Sequence, residues 1–338
     1  MKIGKGSYGS VRIKNSLAYK KFKKLSHCIQ EYVALQMLEN CSYIVHPVDL
    51  NLNTLEIGMD LYQCTLRDWL KSSHQTKSLN RVFKYILRGC IEIHSRGLAH
   101  GDLKPSNILM NKEPFKLVLG DLGFVAHAKY SKCERTAPAY RDPVVKPSTA
   151  HDIFSLAIIF MEMYYGAYFG RQTSYERLQL YIKKNVTSST HQDILLSMIN
   201  PEHEKRPSAT DILSRLYPSD PYLNYQVSIK IPKHSPRSGG YNQKIKRLMT
   251  NIANEYNINR SQQGFVALTY YIEYYKLKRQ YYELYAKVML MILSSIFGQS
   301  GYGIRNIISS KLGHDVTNIR IATLELLHSE DVMALIYY

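Results

Sequence analysis

His100, Asp102, Lys104 and Asn107 fall within one short stretch, His100-Gly101-Asp102-Leu103-Lys104-Pro105-Ser106-Asn107-Ile108-Leu109. A carboxylate, an amine two residues on and an amide five residues on can together move a phosphoryl group to a hydroxyl. In that chemistry Asp102 accepts the hydroxyl proton, Lys104 faces the transferred phosphate, and Asn107 holds a metal ion. An Asp–Asn pair in a loop also makes an ordinary capped turn, so the stretch does not decide by itself. What decides is whether other elements supply the rest of the machinery.

Near the start, Ile3-Gly4-Lys5-Gly6-Ser7-Tyr8-Gly9-Ser10-Val11 follows the pattern G-x-G-x-x-G-x-V. Glycines let a strand pair turn tightly and bring backbone N–H groups onto phosphates with no Cβ in the way. Nine residues past Val11 comes Leu17-Ala18-Tyr19-Lys20, and then a helical apolar spacing that carries Glu31. Leu55 to Tyr62 reads as an apolar strand ending in Met59, Asp60 and Tyr62. Leu79 to Ser95 reads as a helix that delivers the chain into the Asp102 stretch. Lys116-Leu117-Val118-Leu119-Gly120-Asp121-Leu122-Gly123 reads as a strand ending in an aspartate. Ala139-Tyr140-Arg141-Asp142-Pro143-Val144, Ser148-Thr149-Ala150-His151-Asp152-Ile153 and Lys205-Arg206-Pro207-Ser208 complete the series.

These motifs, in this order, resemble the eukaryotic protein kinases, and the likeness covers roughly residues 1–216. It implies an α+β bilobal fold: a β-rich N-lobe over 1–62 and a helical C-lobe over 63–216. It also implies roles. Ile3, Gly4, Gly6, Gly9, Val11, Ala18, Met59 (the gatekeeper), Asp60, Tyr62 and Leu109 would line an ATP site. Lys20 would bind the α- and β-phosphates and pair with Glu31. Asp121 and Asn107 would hold Mg²⁺, and Asp102 with Lys104 would be catalytic. Asp152 would accept hydrogen bonds from the catalytic-loop backbone. Ser7-Tyr8, Ser148-Thr149-Ala150 and Arg141 most resemble the cyclin-dependent kinase group, which implies proline-directed substrates. The form D-L-K-P-x-N implies serine/threonine as acceptor.

The chain departs from the kinase pattern at four places. Gly101 replaces the arginine that receives an activation-loop phosphate, and D-L-G replaces D-F-G. Ala137 stands where a threonine is usual. Val144 replaces the glutamate that pairs with Arg206, which leaves Asp142 as the expected acceptor. Only Met1 and Lys2 precede Ile3, so the first strand is expected to be nearly absent.

The 338 residues are 45% hydrophobic and 21% charged, which allows real cores and argues against disorder. Net charge is +17, but no arginine-rich or lysine-rich block occurs, so nucleic acid is not the expected partner. Cys28, Cys41, Cys64, Cys90 and Cys133 show no metal-ligand spacing, and an odd count argues against a disulfide framework. The longest apolar run, Val288 to Phe297, is too short to span a bilayer, and no signal peptide opens the chain. An intracellular protein of the cytoplasm or nucleus is expected, and such compact fusions resemble kinases of large DNA viruses.

Residues 217–240, with Pro218, Pro221, Pro232 and Pro236, read as a linker. Residues 241–338 have helical periodicity, predicted as five helices with the third, Glu283 to Phe297, at the buried centre. The order of residues resembles a single cyclin box, an all-α bundle, through Ala267-Leu268-Thr269-Tyr270-Tyr271-Ile272 and Val288 to Ser295. It departs at Ile296 and Ala322, where cyclins use a lysine and a glutamate. The combined resemblance implies a kinase of protein serine/threonine activated in cis by its attached module. Two other readings stay open: a scaffold that only binds partners, and a kinase whose bundle recruits substrate or nucleic acid.

Overall fold

The computed structural model describes residues 2–5, 9–38, 40–72, 74–127, 138–143, 148–170, 173–226, 240–255, 262–275 and 277–296, with 322, 323, 325, 326 and 332 beyond them. The expectations for Gly6, Ser7, Tyr8, Cys133, Ala137, Val144 and the fourth predicted helix, with most of the fifth, lie outside the described residues.

Five antiparallel strands build the first layer: β1 (Lys2–Lys5), β2 (Gly9–Lys14), β3 (Leu17–Phe22), β4 (Pro47–Asn51) and β5 (Glu56–Asp60), in the order β1-β2-β3-β5-β4. Contrary to the expectation from the short N-terminus, β1 forms four residues of strand against β2. A strand at a sheet edge needs only backbone pairing on one side, so few residues suffice. The β2–β3 hairpin turns at Asn15 and Ser16, both at positive φ (49° and 61°), the twist that suits a two-residue hairpin loop. That turn sets the register, placing Val11 opposite Lys20 and Ala18 opposite Met59.

Between β3 and β4 lies α1 (Leu25–Met37), and its end caps are poor. Lys24 makes no side-chain cap bond, no acidic residue lies in its first turn and no basic one in its last. Helices without such aids depend on tertiary packing. Here the packing is complete, since Cys28, Ile29, Val33, Ala34 and Leu35 are each at most 2% exposed.

The second lobe begins with β6 (Cys64–Thr65) and the short α2 (Leu66–Trp69), then α3 (Thr76–His94) and β7 (Leu98–Ala99). β8 (Ile108–Asn111) and β9 (Lys116–Leu119) form a hairpin that also pairs with β6, and β10 (Ala126–His127) pairs with β7. The core helix is α4 (Thr149–Tyr165), capped by Ser148 and ended by Gly166 at φ 62°. Its residues 151–161 are buried without interruption. Then come α5 (Tyr175–Asn185), α6 (Ser189–Met198) and α7 (Ala209–Leu216).

Residues 217–226 differ from the linker reading, for they fold onto the back of α3. The prolines signalled a break in periodicity, which a folded extension shares with a flexible one. Beyond them α8 (Gly240–Glu255), α9 (Gln262–Tyr274) and α10 (Tyr282–Ile296) pack together. Every residue from Val288 to Leu293 is at most 1% exposed. A helix buried on all sides needs partners on all sides. α8 and α9 cover one side, and α10 also packs against α1 and approaches β10.

Candidate active site

Two clusters of charge meet at the junction of the lobes. In the first, Lys20 on β3 points its ammonium at Glu31 of α1, with Nζ 2.7 Å from Oε1 and 2.5 Å from Oε2. The same ammonium lies 2.7 Å from Oδ1 of Asp121. Burial alone would lower the Lys20 ammonium's pKa, but Glu31 and Asp121 hold it above its ordinary range. Burial pushes Glu31 up to about 7 while Lys20 pulls the other way. Lys20 therefore stays a cation in the cleft, placed to meet an anionic ligand.

Backbone geometry delivers Asp121. It sits in the left-handed region at φ 58°, a conformation aspartate tolerates better than most residues. Its side chain is 38% exposed and opens on the cleft. A Cβ on Gly120 would come 2.9 Å from Leu109 Cδ1, so glycine before Asp121 lets Leu109 pack beneath it. A Cβ on Gly9 would overlap the Lys21 carbonyl oxygen at 1.9 Å, which explains the last glycine of the loop motif. Leu122 is fully buried on the short helical turn that packs against α1, so leucine does the packing work of the usual phenylalanine.

In the second cluster Lys104 Nζ lies 2.5 Å from Asp102 Oδ2, and Asn107 Nδ2 donates to the same oxygen at 3.1 Å and to the Asp102 carbonyl at 2.9 Å. The Gly120 amide donates to the Asn107 carbonyl at 2.8 Å, which ties this cluster to the residue just before Asp121. Behind both, the fully buried Asp152 accepts from the amides of His100 (2.7 Å) and Gly101 (2.9 Å) and faces His94 Nε2 at 2.9 Å. Burial works against the charge of Asp152, yet the His94 bond and the nearby imidazoles leave its carboxyl below the ordinary range.

Met59 is 8% exposed at the end of β5, and Val11, Ala18, Asp60, Tyr62 and Leu109 are half-buried around the same cleft. Ile3 and Gly4 lie on β1. Thus Lys20, Glu31 and Asp121 form one cluster and Asp102, Lys104 and Asn107 a second, joined through the Gly120–Asn107 bond. The Arg206 guanidinium pairs with Asp142 and also bonds the Ala150 carbonyl at 2.8 Å. Asp142 thereby replaces the missing glutamate.

Three features had no sequence signal. His94 completes the bonding of Asp152. Arg67 on α2 binds both Glu162 and Tyr140 beside the Pro143 segment. Asp220 binds Arg88 across 132 residues of chain. Pairs this distant have no period to reveal them.

A family model described as "Protein kinase domain" matches residues 1–218, and the chain belongs to that family. The chain is 29% identical over 195 residues to mitogen-activated protein kinase 14 of Xenopus laevis, covering 48% of this chain and 53% of that protein. It is 26% identical to cyclin-dependent kinase B2-1 of Oryza sativa subsp. japonica, covering 48% of this chain and 60% of the relative. It is 27% identical to the interferon-induced, double-stranded RNA-activated protein kinase of Rattus norvegicus, covering 45% and 33% respectively. The chain thus spans between a third and three-fifths of these relatives' lengths. Family membership implies use of ATP with a divalent metal.

Proposed function

We propose that the protein transfers the γ-phosphoryl group of ATP to serine or threonine of protein substrates, with its C-terminal helices holding α1 in the working position. The observation that carries this reading is α10 packed on α1 while Glu31 of α1 is engaged with Lys20. An uncapped helix stays where packing holds it, and here part of that packing comes from outside the family domain. α10 thus acts on the element whose position decides whether Lys20 can serve the nucleotide. This is the task a cyclin-like module would perform in cis, by apolar contact.

The side chains divide the work by charge. Lys20 neutralises phosphate oxygens, held upright by Glu31. Asp121 and Asn107 offer hard oxygens, and the Asn107 nitrogen is already engaged with Asp102, leaving its amide oxygen for a cation. Two protein ligands suit Mg²⁺, which keeps waters and phosphate oxygens as its other ligands. Bound there, Mg²⁺ supplies charge neutralisation for the phosphates. Asp102 orients the acceptor hydroxyl and takes its proton, and Lys104 stays beside it to balance the charge that develops on the transferred group. Arg141 matches the arginine that accompanies a proline-directed substrate groove in the kinases this chain resembles, which makes Ser-Pro sequences the substrates to test first.

Radiolabel transfer from ATP to a Ser-Pro peptide, with Ser-Ala and Tyr-Pro peptides beside it, tests the reading. Transfer to the Ser-Pro peptide that disappears in Asp102→Asn is the expected result. No transfer to any peptide or protein by the intact chain would favour the scaffold reading. Equal transfer to Ser-Pro and Ser-Ala would remove proline direction and leave the kinase.

A further inference from the structure

We propose that the segment 217–225 is a clasp that positions α1 from behind, so that Arg88, Asp220, Tyr222 and Glu92 are positioning residues of the cleft. Residues 42–45 form the stretch that leads out of α1 toward β4. On one side this stretch is bonded to β9. The Leu119 amide donates to the Tyr43 carbonyl at 2.8 Å, and the Val45 amide to the Leu119 carbonyl at 3.0 Å. Leu119 stands two residues before Asp121. One short stretch therefore links the helix that carries Glu31 to the strand that leads into Asp121.

On its other side the stretch rests on a single buried carboxylate. Glu92 of α3 is 1% exposed and accepts from the Ser42 amide (2.8 Å) and the Tyr43 amide (2.9 Å). Its third donor is the Tyr222 hydroxyl at 3.0 Å, from the extension. Nearby, Arg88 forks onto Asp220 with bonds of 3.0 and 2.7 Å, and donates to the Tyr43 hydroxyl at 2.6 Å. Its guanidinium lies over the rings of Tyr43, Tyr85 and Tyr222 at 5.6, 5.1 and 4.9 Å. A planar, forked cation stacked among rings and paired to a 6% exposed carboxylate is held far more firmly than a surface ion pair. Arg96 adds a bond to the Tyr225 hydroxyl at 3.1 Å.

The chemistry is specific in where it acts. Asp220, Tyr222 and Tyr225 lie past residue 218, where the family match ends, yet their side chains reach back to Arg88 and Glu92 of α3 and to Arg96 just beyond it. Without the Tyr222 hydroxyl and the Asp220 carboxylate, Glu92 loses a donor and Arg88 loses its fork. The stretch behind α1 is then held by β9 and by a Glu92 and an Arg88 that the extension no longer fixes in place. The extension thus steadies α1 at its C-terminal end, while α10 packs against the helix itself. The clasp extends the activation reading but acts through different residues, and its test does not need the protein to be active.

The test uses the full chain carrying Tyr222→Phe together with Asp220→Asn, two changes that preserve shape. Amide hydrogen exchange is followed in α1 and residues 42–45, with α4 to α7 as internal reference, and kcat and KM for ATP are measured in parallel. Loss of these bonds should speed exchange in α1 and residues 42–45 about tenfold, with α4 to α7 unchanged. It should lower kcat/KM for ATP by a similar factor, and Asp220→Glu should restore part of both. Unchanged exchange in α1 would overturn the clasp. Equal acceleration in α4 to α7 would also overturn it, since the bonds would then serve the lobe as a whole. If the wild-type chain transfers no phosphate, the activity reading fails alone, because exchange still reports on the clasp.

Discussion

Asp102 and Asp121 are carboxylates of one cleft, yet their neighbours give them different work. Asp102 shares an oxygen with Lys104 and Asn107, so its charge is balanced and its position fixed. Asp121 opens toward the cleft and is balanced by Lys20. Asp102→Asn should therefore bind ATP as the wild type does and lose phosphoryl transfer by about 10³-fold, within the range for a removed general base. Asp121→Asn should instead weaken Mg²⁺-dependent nucleotide binding in a direct titration. Retained transfer in Asp102→Asn would show that these roles are misassigned. Asp152 gives a pH prediction. Its folded pKa is depressed, so its contribution to stability is present above the ordinary aspartate value of about 3.9 and is lost as pH falls below it. Asp152→Asn should cost about 2–4 kcal/mol at neutral pH, since two backbone amides lose a charged acceptor. The difference in unfolding free energy from the wild type should narrow in acid, and a constant difference from pH 7 to 3 would contradict the assignment.

At the scale of elements, Gly101 explains more than a missing arginine. It sits at φ +77°, and a Cβ there would lie 2.9 Å from the Phe124 carbonyl oxygen. The loop is built around glycine, so a side chain at 101 would meet Phe124 unless the backbone moved. Gly101→Ala should lower stability by about 1–2 kcal/mol, from left-handed strain alone, and more if Phe124 resists. An unchanged melting temperature would argue against this geometry. Phosphatase treatment of the wild type should leave transfer within about twofold, because no arginine at 101 waits for a phosphate. A loss reversed by an upstream kinase would contradict that. The sequence made these elements legible where motifs are local: Lys20, the Asp102 stretch and Asp121 each stand on one strand or loop. It pointed the wrong way on β1, expected to be nearly absent yet sustained by backbone pairing, and on residues 217–226, where prolines mark a break without saying what the segment docks on. The Arg88–Asp220 pair and the seat of α10 join elements far apart in the chain, and no periodicity records such a meeting.

For the whole molecule, the decisive question is whether α1 keeps its place without α8 to α10. Its ends carry no caps, and its buried faces divide between the N-lobe sheet and α10. Removing residues 241–338 strips part of that cover, exposes apolar surface of α1 to water, and frees the helix to swing Glu31 away from Lys20. Each apolar side chain uncovered costs about 1.5–3 kcal/mol, so even one or two such losses can shift α1 from mostly engaged to mostly displaced. Residues 1–240 alone should therefore bind ATP more weakly and show kcat/KM at least about tenfold below the whole chain. In the intact protein the covalent link gives α10 an effective concentration on the order of millimolar, so even a weak contact stays made. Residues 241–338 supplied separately should restore activity only as their concentration approaches the Kd of that contact. Because Val288 to Leu293 are all apolar and buried, the restored rate should change little between 50 and 500 mM salt, concentrations on either side of the usual screening range. Steep salt sensitivity would point to ion pairs rather than α10 as the contact. Full activity in residues 1–240 would mean that α1 is stable unaided, and the helical bundle would then be read as a recruiter of substrate.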